Sequence, residues 1–256
     1  MNPYLQNLNR VEFLVTFACT GRCKHCSEGD HVNSGEHING DAAADMVYKV
    51  AGKYAIKSLM TFGGEPLLYP EEVYKIHIAA RNAGIANRQL ITNGFFSRDD
   101  EKIKHVAKTL FESGVNDIML SVDAFHQETI PIEPVVSFAS ALQGLDIPKL
   151  HVHPAWLVSK DADNPYNNKT REILSLFTDK GIPVSSGNVI FPGGNALKYL
   201  NEYFDLSVPH ISPYAENPYD ITAICVVPNG GVLNGNIYQS GILDIIKDYT
   251  PEEKRG

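Results

Sequence analysis

Cysteine is scarce in this chain of 256 residues: there are four, alongside a single tryptophan. So few thiols exclude a disulfide-stapled secreted scaffold, which needs them dense along a short sequence. No apolar run reaches the length of a membrane span. The opening residues MNPYLQNLNR lack the basic-then-apolar pattern of an export leader. A cytosolic protein with no membrane partner is expected. Runs of lysine and arginine are also missing, and 22 basic against 30 acidic side chains give a formal charge of -8. That balance disfavours a nucleic-acid partner, whose phosphates call for a basic surface.

What is present is unevenly placed. Three of the four cysteines fall in CTGRCKHC, residues 19–26, and Cys225 stands alone far along the chain. Clustered thiols in a reducing compartment point to a metal rather than to disulfides. The hydrophobic content of 43% supplies an ordinary globular core.

Along the chain, strand-like and helix-like segments alternate. Strands are predicted at 10–17, 58–62, 88–92, 117–122, 149–158 and 183–191. Helices are predicted at 41–54, with Asp41 as N-cap, and at 70–84, 97–114, 133–144 and 164–181. Strands joined by helices run parallel, so the pattern allows a closed barrel, a partial barrel or an open doubly wound sheet. In each of these, function gathers at the C-terminal ends of the strands. The unusual segments fall there: CTGRCKHC, GGEP, TNG and SVD follow the first four strands. Residues 193–256 break the pattern and predict a small α+β appendage, with a hairpin around PNGG and a helix at 240–249.

Three thiolates suffice for three irons of a 4Fe-4S cube and leave the fourth iron open, whereas electron-transfer clusters use four cysteines. A structural zinc site also wants four ligands. His25 or Cys225 would have to complete it, and on spacing alone that reading stays open.

Cys19-TGR-Cys23-KH-Cys26 after a first strand, with Gly63-Gly64-Glu65-Pro66 after the second, resembles the radical S-adenosylmethionine (SAM) superfamily. The resemblance covers residues 10 to about 191 and implies a partial (β/α)6 TIM-like barrel as the core, residues 1–192. It implies a 4Fe-4S cluster on Cys19, Cys23 and Cys26, whose open iron takes the amino and carboxylate groups of SAM. Reductive cleavage of SAM would then yield a 5′-deoxyadenosyl radical that takes hydrogen from a substrate, with an electron donor such as flavodoxin or ferredoxin.

The same resemblance assigns further cofactor contacts. Gly63, Gly64, Glu65 and Pro66 would receive the SAM amino group, and His25 would stand near the adenine. Strand alternation turns Ser121 and Asp123 inward, where the family contacts the ribose. It also turns His151 and His153 inward, with Leu150 and Val152 outward. His153, Asn93 and Asn188 are expected to contribute to the SAM site, and His126 sits near the presumed mouth. Asp123 read as a plain turn cap, and the histidines as a hydrogen-bond network, are the bland counterparts.

The C-terminal segment 193–256 resembles a degenerate SPASM-like extension: PNGGVLNGNI keeps the hairpin, but Leu233 and Asn234 stand where a cysteine is expected. One thiolate, Cys225, cannot hold an auxiliary cluster, so none is expected. FPGGNAL resembles a segment of the same relatives in which Asn195 replaces an arginine. These features imply modification of a peptide or small metabolite. A glycyl-radical-enzyme activase and a non-catalytic zinc or Fe-S scaffold are the alternatives.

Overall fold

A computed structural model describes residues 2–31, 35–210 and 212–251. The elements begin with β1 (Arg10–Leu14), α1 (Gly40–Ala51), β2 (Ser58–Phe62), α2 (Pro70–Asn82), β3 (Asn87–Thr92) and α3 (Asp100–Ser113). There follow β4 (Asp117–Ser121), α4 (Ala124–Gln127), α5 (Ile132–Gln143), β5 (Lys149–His153), β6 (Ala155–Trp156) and α6 (Pro165–Thr178). The chain ends with β7 (Asn188–Val189), α7 (Asn195–Tyr199), β8 (Ala223–Val226), β9 (Gly231–Val232), β10 (Gly235–Asn236) and α8 (Ile242–Asp248).

The main sheet is parallel and open, in the order β5-β4-β3-β2-β1-β8. This is the α/β architecture of a partial TIM-like barrel. Alternation sorts its two faces. Val11, Phe13, Leu59, Leu90, Ile118, Leu120, Val152 and Val226 are buried beneath the helices. The opposite, concave face carries Arg10, Glu12, Gln89, Met119, His151 and Cys225, all only partly covered. A sheet that does not close leaves that face reachable.

Three expectations change. The sixth repeat, 183–191, does not join the main sheet as a strand; it pairs through one bridge, Val152 with Val184, and through β6 with β7. Pro154 removes a ladder donor from the fifth strand, and Gly187 opposite it takes φ +72, so the ladder breaks there. The sixth strand of the sheet is instead β8, which comes from the expected appendage and pairs with β1. The segment after residue 192 is therefore woven into the core sheet; its last residues, 252–256, lie outside the described residues. The antiparallel pair β9–β10 turns at Leu233 and Asn234, with Leu233 at φ +52, while PNGG forms a tight turn of its own, in which the Gly230 N–H donates to the Val227 carbonyl at 2.8 Å and the Val227 N–H to the Gly231 carbonyl at 3.0 Å.

Helix boundaries follow local chemistry. Asn39, rather than Asp41, caps α1 by accepting from the backbone of Asp41 and Ala42. Asp99 caps α3 in the same way. Gly114 ends α3 at φ +92, and a Cβ there would stand 2.8 Å from the Arg81 side chain. No helix among the described residues is long and apolar enough to cross a membrane.

Candidate active site

The loop after β1 carries all three clustered cysteines. They are free; Cys19 and Cys23 are buried and Cys26 is partly exposed. The loop is held from several sides. The Gly21 N–H donates to Cys19 Sγ at 3.3 Å, and the Arg22 guanidinium donates to the Cys19 and Gly21 carbonyls at 2.7 Å. His31 Nε2 lies 3.3 Å from Cys26 Sγ, while its Nδ1 donates to the Phe17 carbonyl at 2.8 Å. With the ring proton so placed, Nε2 accepts from the thiol.

Burial pushes the Cys19 thiol up to about 11, and the Glu65 carboxylate adds to the shift. Burial likewise raises Cys23, helped by Asp123, and raises Cys26. Uncoordinated, these thiols are protonated, and a metal must displace the protons.

The GGEP turn after β2 packs directly on the entry to this loop. The Gly64 N–H donates to the Thr16 carbonyl and the Glu65 N–H to the Ala18 carbonyl, both at 2.8 Å. A Cβ on Gly64 would fall inside the van der Waals shell of the Ala18 carbonyl, and one on Gly63 would stand 2.7 Å from Thr16 O. Only glycine fits both positions. A cleft of about 580 Å³ opens beside the loop, lined by Ala18, Cys19, Thr20, Arg22, Leu68 and Tyr69 among others.

Glu65 and Pro66 play structural parts in this turn. Pro66 begins a single 3-10 turn, Pro66–Leu68, which the Glu65 carboxylate caps through Leu67 N at 2.9 Å. The same fully buried carboxylate accepts from Thr92 Oγ1 at 2.7 Å and Asn93 N at 2.8 Å. Burial pushes Glu65 up to about 7 against these hydrogen bonds. Glu65 thus ties the end of β2 to the end of β3. Asn93 is brought to the cysteines: its amide nitrogen stands 3.6 Å from Cys19 Sγ and donates to Thr20 Oγ1 at 3.1 Å.

Asp123 is fully buried and its oxygens are committed. Oδ1 accepts from the backbone of Phe125 and His126, capping α4, while Oδ2 accepts from His126 Nδ1 at 2.8 Å and Ala155 N at 2.9 Å. Each oxygen thus accepts two hydrogen bonds, the arrangement of a helix cap. Burial opposes its charge, but the His126 ring and these hydrogen bonds hold the carboxyl well below the usual range.

His25 packs with ring centroids 5.1 Å from Phe125 and 4.8 Å from His126. Its Nδ1 is fully enclosed without a hydrogen-bond partner, and burial pushes its pKa down to about 4. Ser121 is half-buried and in register with His153. His153 pairs with Ser185 Oγ at 2.9 Å, and burial lowers its pKa. Asn188 is exposed and donates to the Tyr214 hydroxyl at 3.2 Å, engaged at the rim and not with the cysteine loop. The bland reading of His151 fits its position 3.9 Å from Asp117. Cys225 lies in register with Glu12; burial pushes its thiol up to about 12, with Glu12 and Glu28 adding.

Sequence reasoning missed Asn195 as a clamp. It is buried, its N–H donates to the Cys26 carbonyl at 2.9 Å, and its amide donates to the carbonyls of Cys23 at 3.3 Å and Gly29 at 3.2 Å. A Cβ on Gly194 would press against Cys26 O at 2.5 Å. The GGN triplet was the available signal. Its spatial target, far back in the chain, was not.

The residues present suit an Fe-S cluster with one ligand position left over. They offer three thiols, one of which accepts from a backbone N–H, an amide aimed at that same thiol, and a turn that only glycine fits. The three thiols are not drawn together onto a single small ion: among the described residues the only metal-like grouping within 4.8 Å is Cys23, His25 and His126.

A family model described as the radical SAM superfamily matches residues 13–206. GTP 3′,8-cyclase of Chlorobaculum tepidum is 26% identical over 123 residues, 48% of this chain and 35% of that protein. The chain spans about a third of the length of the first curated relatives it matches. The structure of Streptococcus suis SuiB bound to S-adenosylmethionine superposes over 97% of this chain and 68% of its own, with TM-score 0.64 at 13% identity. SuiB bound to the precursor peptide SuiA does so over 96% and 66%, with TM-score 0.58 at 12% identity. At these identities the likeness establishes the fold.

Proposed function

The chain belongs to the radical SAM superfamily, enzymes that use a 4Fe-4S cluster and SAM, and on that premise we propose that it modifies a peptide or small metabolite on the open face of its sheet. The observation that carries this reading is the junction of the GGEP turn with the cysteine loop, where Gly64 N and Glu65 N grip the chain just before Cys19. Cys19, Cys23 and Cys26 would hold the cluster, and its open iron would supply the reductive cleavage of SAM to a hydrogen-abstracting radical.

The chain's own residues perform the supporting work. The three thiols release protons on binding iron. The Asn93 amide faces the Cys19 sulfur, and the Gly63-Gly64 turn lets backbone approach a ligand where any side chain would intrude. Glu65, Asn195 and Asp123 fix the loops around them. The concave face would receive substrate, with His151, His153 and Ser121 along its β4–β5 side.

SuiB, alike in fold, supplies a peptide as a class to test. The similarity to GTP 3′,8-cyclase keeps a purine nucleotide as the second reading. Part of the same proposal is that the C-terminal segment is a SPASM-like remnant without a second cluster, since the groups acting on Cys225 are carboxylates and not thiols.

Anaerobic turnover of SAM to 5′-deoxyadenosine, measured with GTP and with peptide pools, tests the reading. Stimulation by peptides or metabolites and not by GTP is expected. Stimulation by GTP alone would favour the second reading, and no turnover with a fully loaded cluster would overturn both.

A further inference from the structure

Cys23, His25 and His126 form a group that cluster binding does not account for. Their ligand atoms all lie within 4.8 Å of one another, although His126 belongs to α4, about a hundred positions along the chain from the cysteine loop. Around zinc, with Zn–S about 2.3 Å and Zn–N about 2.0 Å, ligand atoms of one tetrahedral shell sit about 3.3–3.5 Å apart. Closing the observed spread onto one ion takes side-chain rotation and no change of fold.

Each member is prepared for a metal. His126 is oriented by a buried carboxylate: its Nδ1 meets Asp123 Oδ2 at 2.8 Å, which places the ring proton there and leaves Nε2 with a free lone pair. Asp123 is itself fixed by three backbone N–H groups, those of Phe125, His126 and Ala155. A carboxylate behind a histidine in this way fixes the tautomer and orientation that metal ligation requires. His25 sets its ring edge-on to His126, with an enclosed Nδ1 that meets no donor or acceptor. An unpartnered polar atom in such a position is costly unless a ligand satisfies it. Cys23 is buried beside them.

We infer that Cys23, His25 and His126 make a site for a single divalent ion of the zinc type, with Asp123 behind His126 and a fourth position for water. One thiolate with two imidazoles is a donor set that suits zinc. Binding displaces one proton, from the Cys23 thiol, and involves no change of oxidation state. Because the proposed function gives Cys23 to the 4Fe-4S cluster, the two occupants exclude each other. Zinc held here blocks cluster assembly. This exclusion rests on the proposed function; the metal site itself does not.

Cobalt(II) added to the full-length, cluster-free protein under anaerobic conditions reports the ligand set through its visible spectrum. The expected result is one ion per chain, with tetrahedral d–d bands and the charge-transfer intensity of a single thiolate. His126→Ala should weaken cobalt binding by about 10-fold or more. A Cys19→Ala/Cys26→Ala double variant should retain the affinity within about 2-fold. Circular dichroism and melting of each variant separate a lost ligand from a lost fold, and His25→Ala supplies a second ligand deletion. Zinc added before reconstitution should block iron and sulfide uptake in the wild type and release its hold in His126→Ala.

Cobalt affinity that is unchanged in His126→Ala, or that disappears with Cys19 and Cys26, would overturn the inference. If His126→Ala weakens cobalt while the wild type assembles no cluster without zinc, the proposed function fails and the metal site stands. If the cluster assembles but cobalt ignores His126, the reverse holds.

Discussion

The backbone N–H of Asn195 donates to the carbonyl of Cys26 at 2.9 Å, and the Asn195 side chain reaches the Cys23 carbonyl at 3.3 Å. The start of α7 therefore grips the cysteine loop that the chain laid down near its beginning. A loop that must present three thiols to a metal needs its backbone fixed beforehand, and these bonds, with the Gly29 carbonyl as a third acceptor, supply that restraint.

Asn195→Ala removes two side-chain hydrogen bonds, one buried and one part-buried, and leaves the Cys23 and Gly29 carbonyls without that donor. The cost is about 1–3 kcal/mol, concentrated on the cysteine loop. The expected result is a cluster that still assembles but bleaches several-fold faster under a chelator, followed by visible absorbance. Bleaching at the wild-type rate would show that the clamp is idle.

Gly64→Ala should abolish folding or loading, because its Cβ would meet the Ala18 carbonyl that Glu65 N also binds. Gly144→Ala is the matched control: φ there is -74 and the nearest atom to a new Cβ, Ala141 O, is 3.7 Å away. Thermal melting of the two variants reads the difference. A Gly64→Ala protein that melts with the wild type and loads its cluster would contradict the packing described for the GGEP turn.

Glu65 makes the stability of the cluster-free protein depend on pH. Its pKa rises from an ordinary 4.5 to about 7, through burial. Below pH 4.5 the carboxyl is protonated whether folded or unfolded and costs nothing. Between 4.5 and 7 only the folded state keeps the proton, so stability falls as pH rises. Above 7 the full penalty, about 3 kcal/mol, is present. Urea unfolding of the wild type and Glu65→Gln across this window checks it. The wild type should lose more stability with rising pH than the variant, and identical slopes would remove Glu65 as the cause.

Iron analysis tests the C-terminal segment. Reconstituted protein should hold one cluster's worth of iron and sulfide, and Cys225→Ala should hold the same. A loss of iron in Cys225→Ala, or twice the iron in the wild type, would show that β8 serves a second cluster.

Local patterns made the site partly legible in the sequence. CTGRCKHC and GGEP are short local strings, so cysteine spacing pointed to the first and the family resemblance to the second. Strand alternation correctly turned Leu150 and Val152 away from the concave face, because a period of two needs no tertiary information. What failed depended on distant partners. Pro154 and Gly187 broke a strand that hydrophobicity had drawn through them, and the sixth position in the sheet went to Ala223–Val226, whose pairing with β1 no local signal announced. Asp123 was read by its strand parity, but its oxygens went to the nearest backbone donors, as a short acidic side chain at a helix start favours. His31 was passed over because it lies beyond the motif, although the chain folds it back onto Cys26.

The central claim is that Cys19, Cys23 and Cys26 hold a 4Fe-4S cluster with one iron free for SAM. Low-temperature EPR of anaerobically reconstituted, dithionite-reduced protein, recorded with and without SAM, tests it most directly. The account predicts the signal of a reduced 4Fe-4S cluster whose shape changes when SAM is added. A cluster signal indifferent to SAM, or zinc and no cluster after reconstitution, would contradict it.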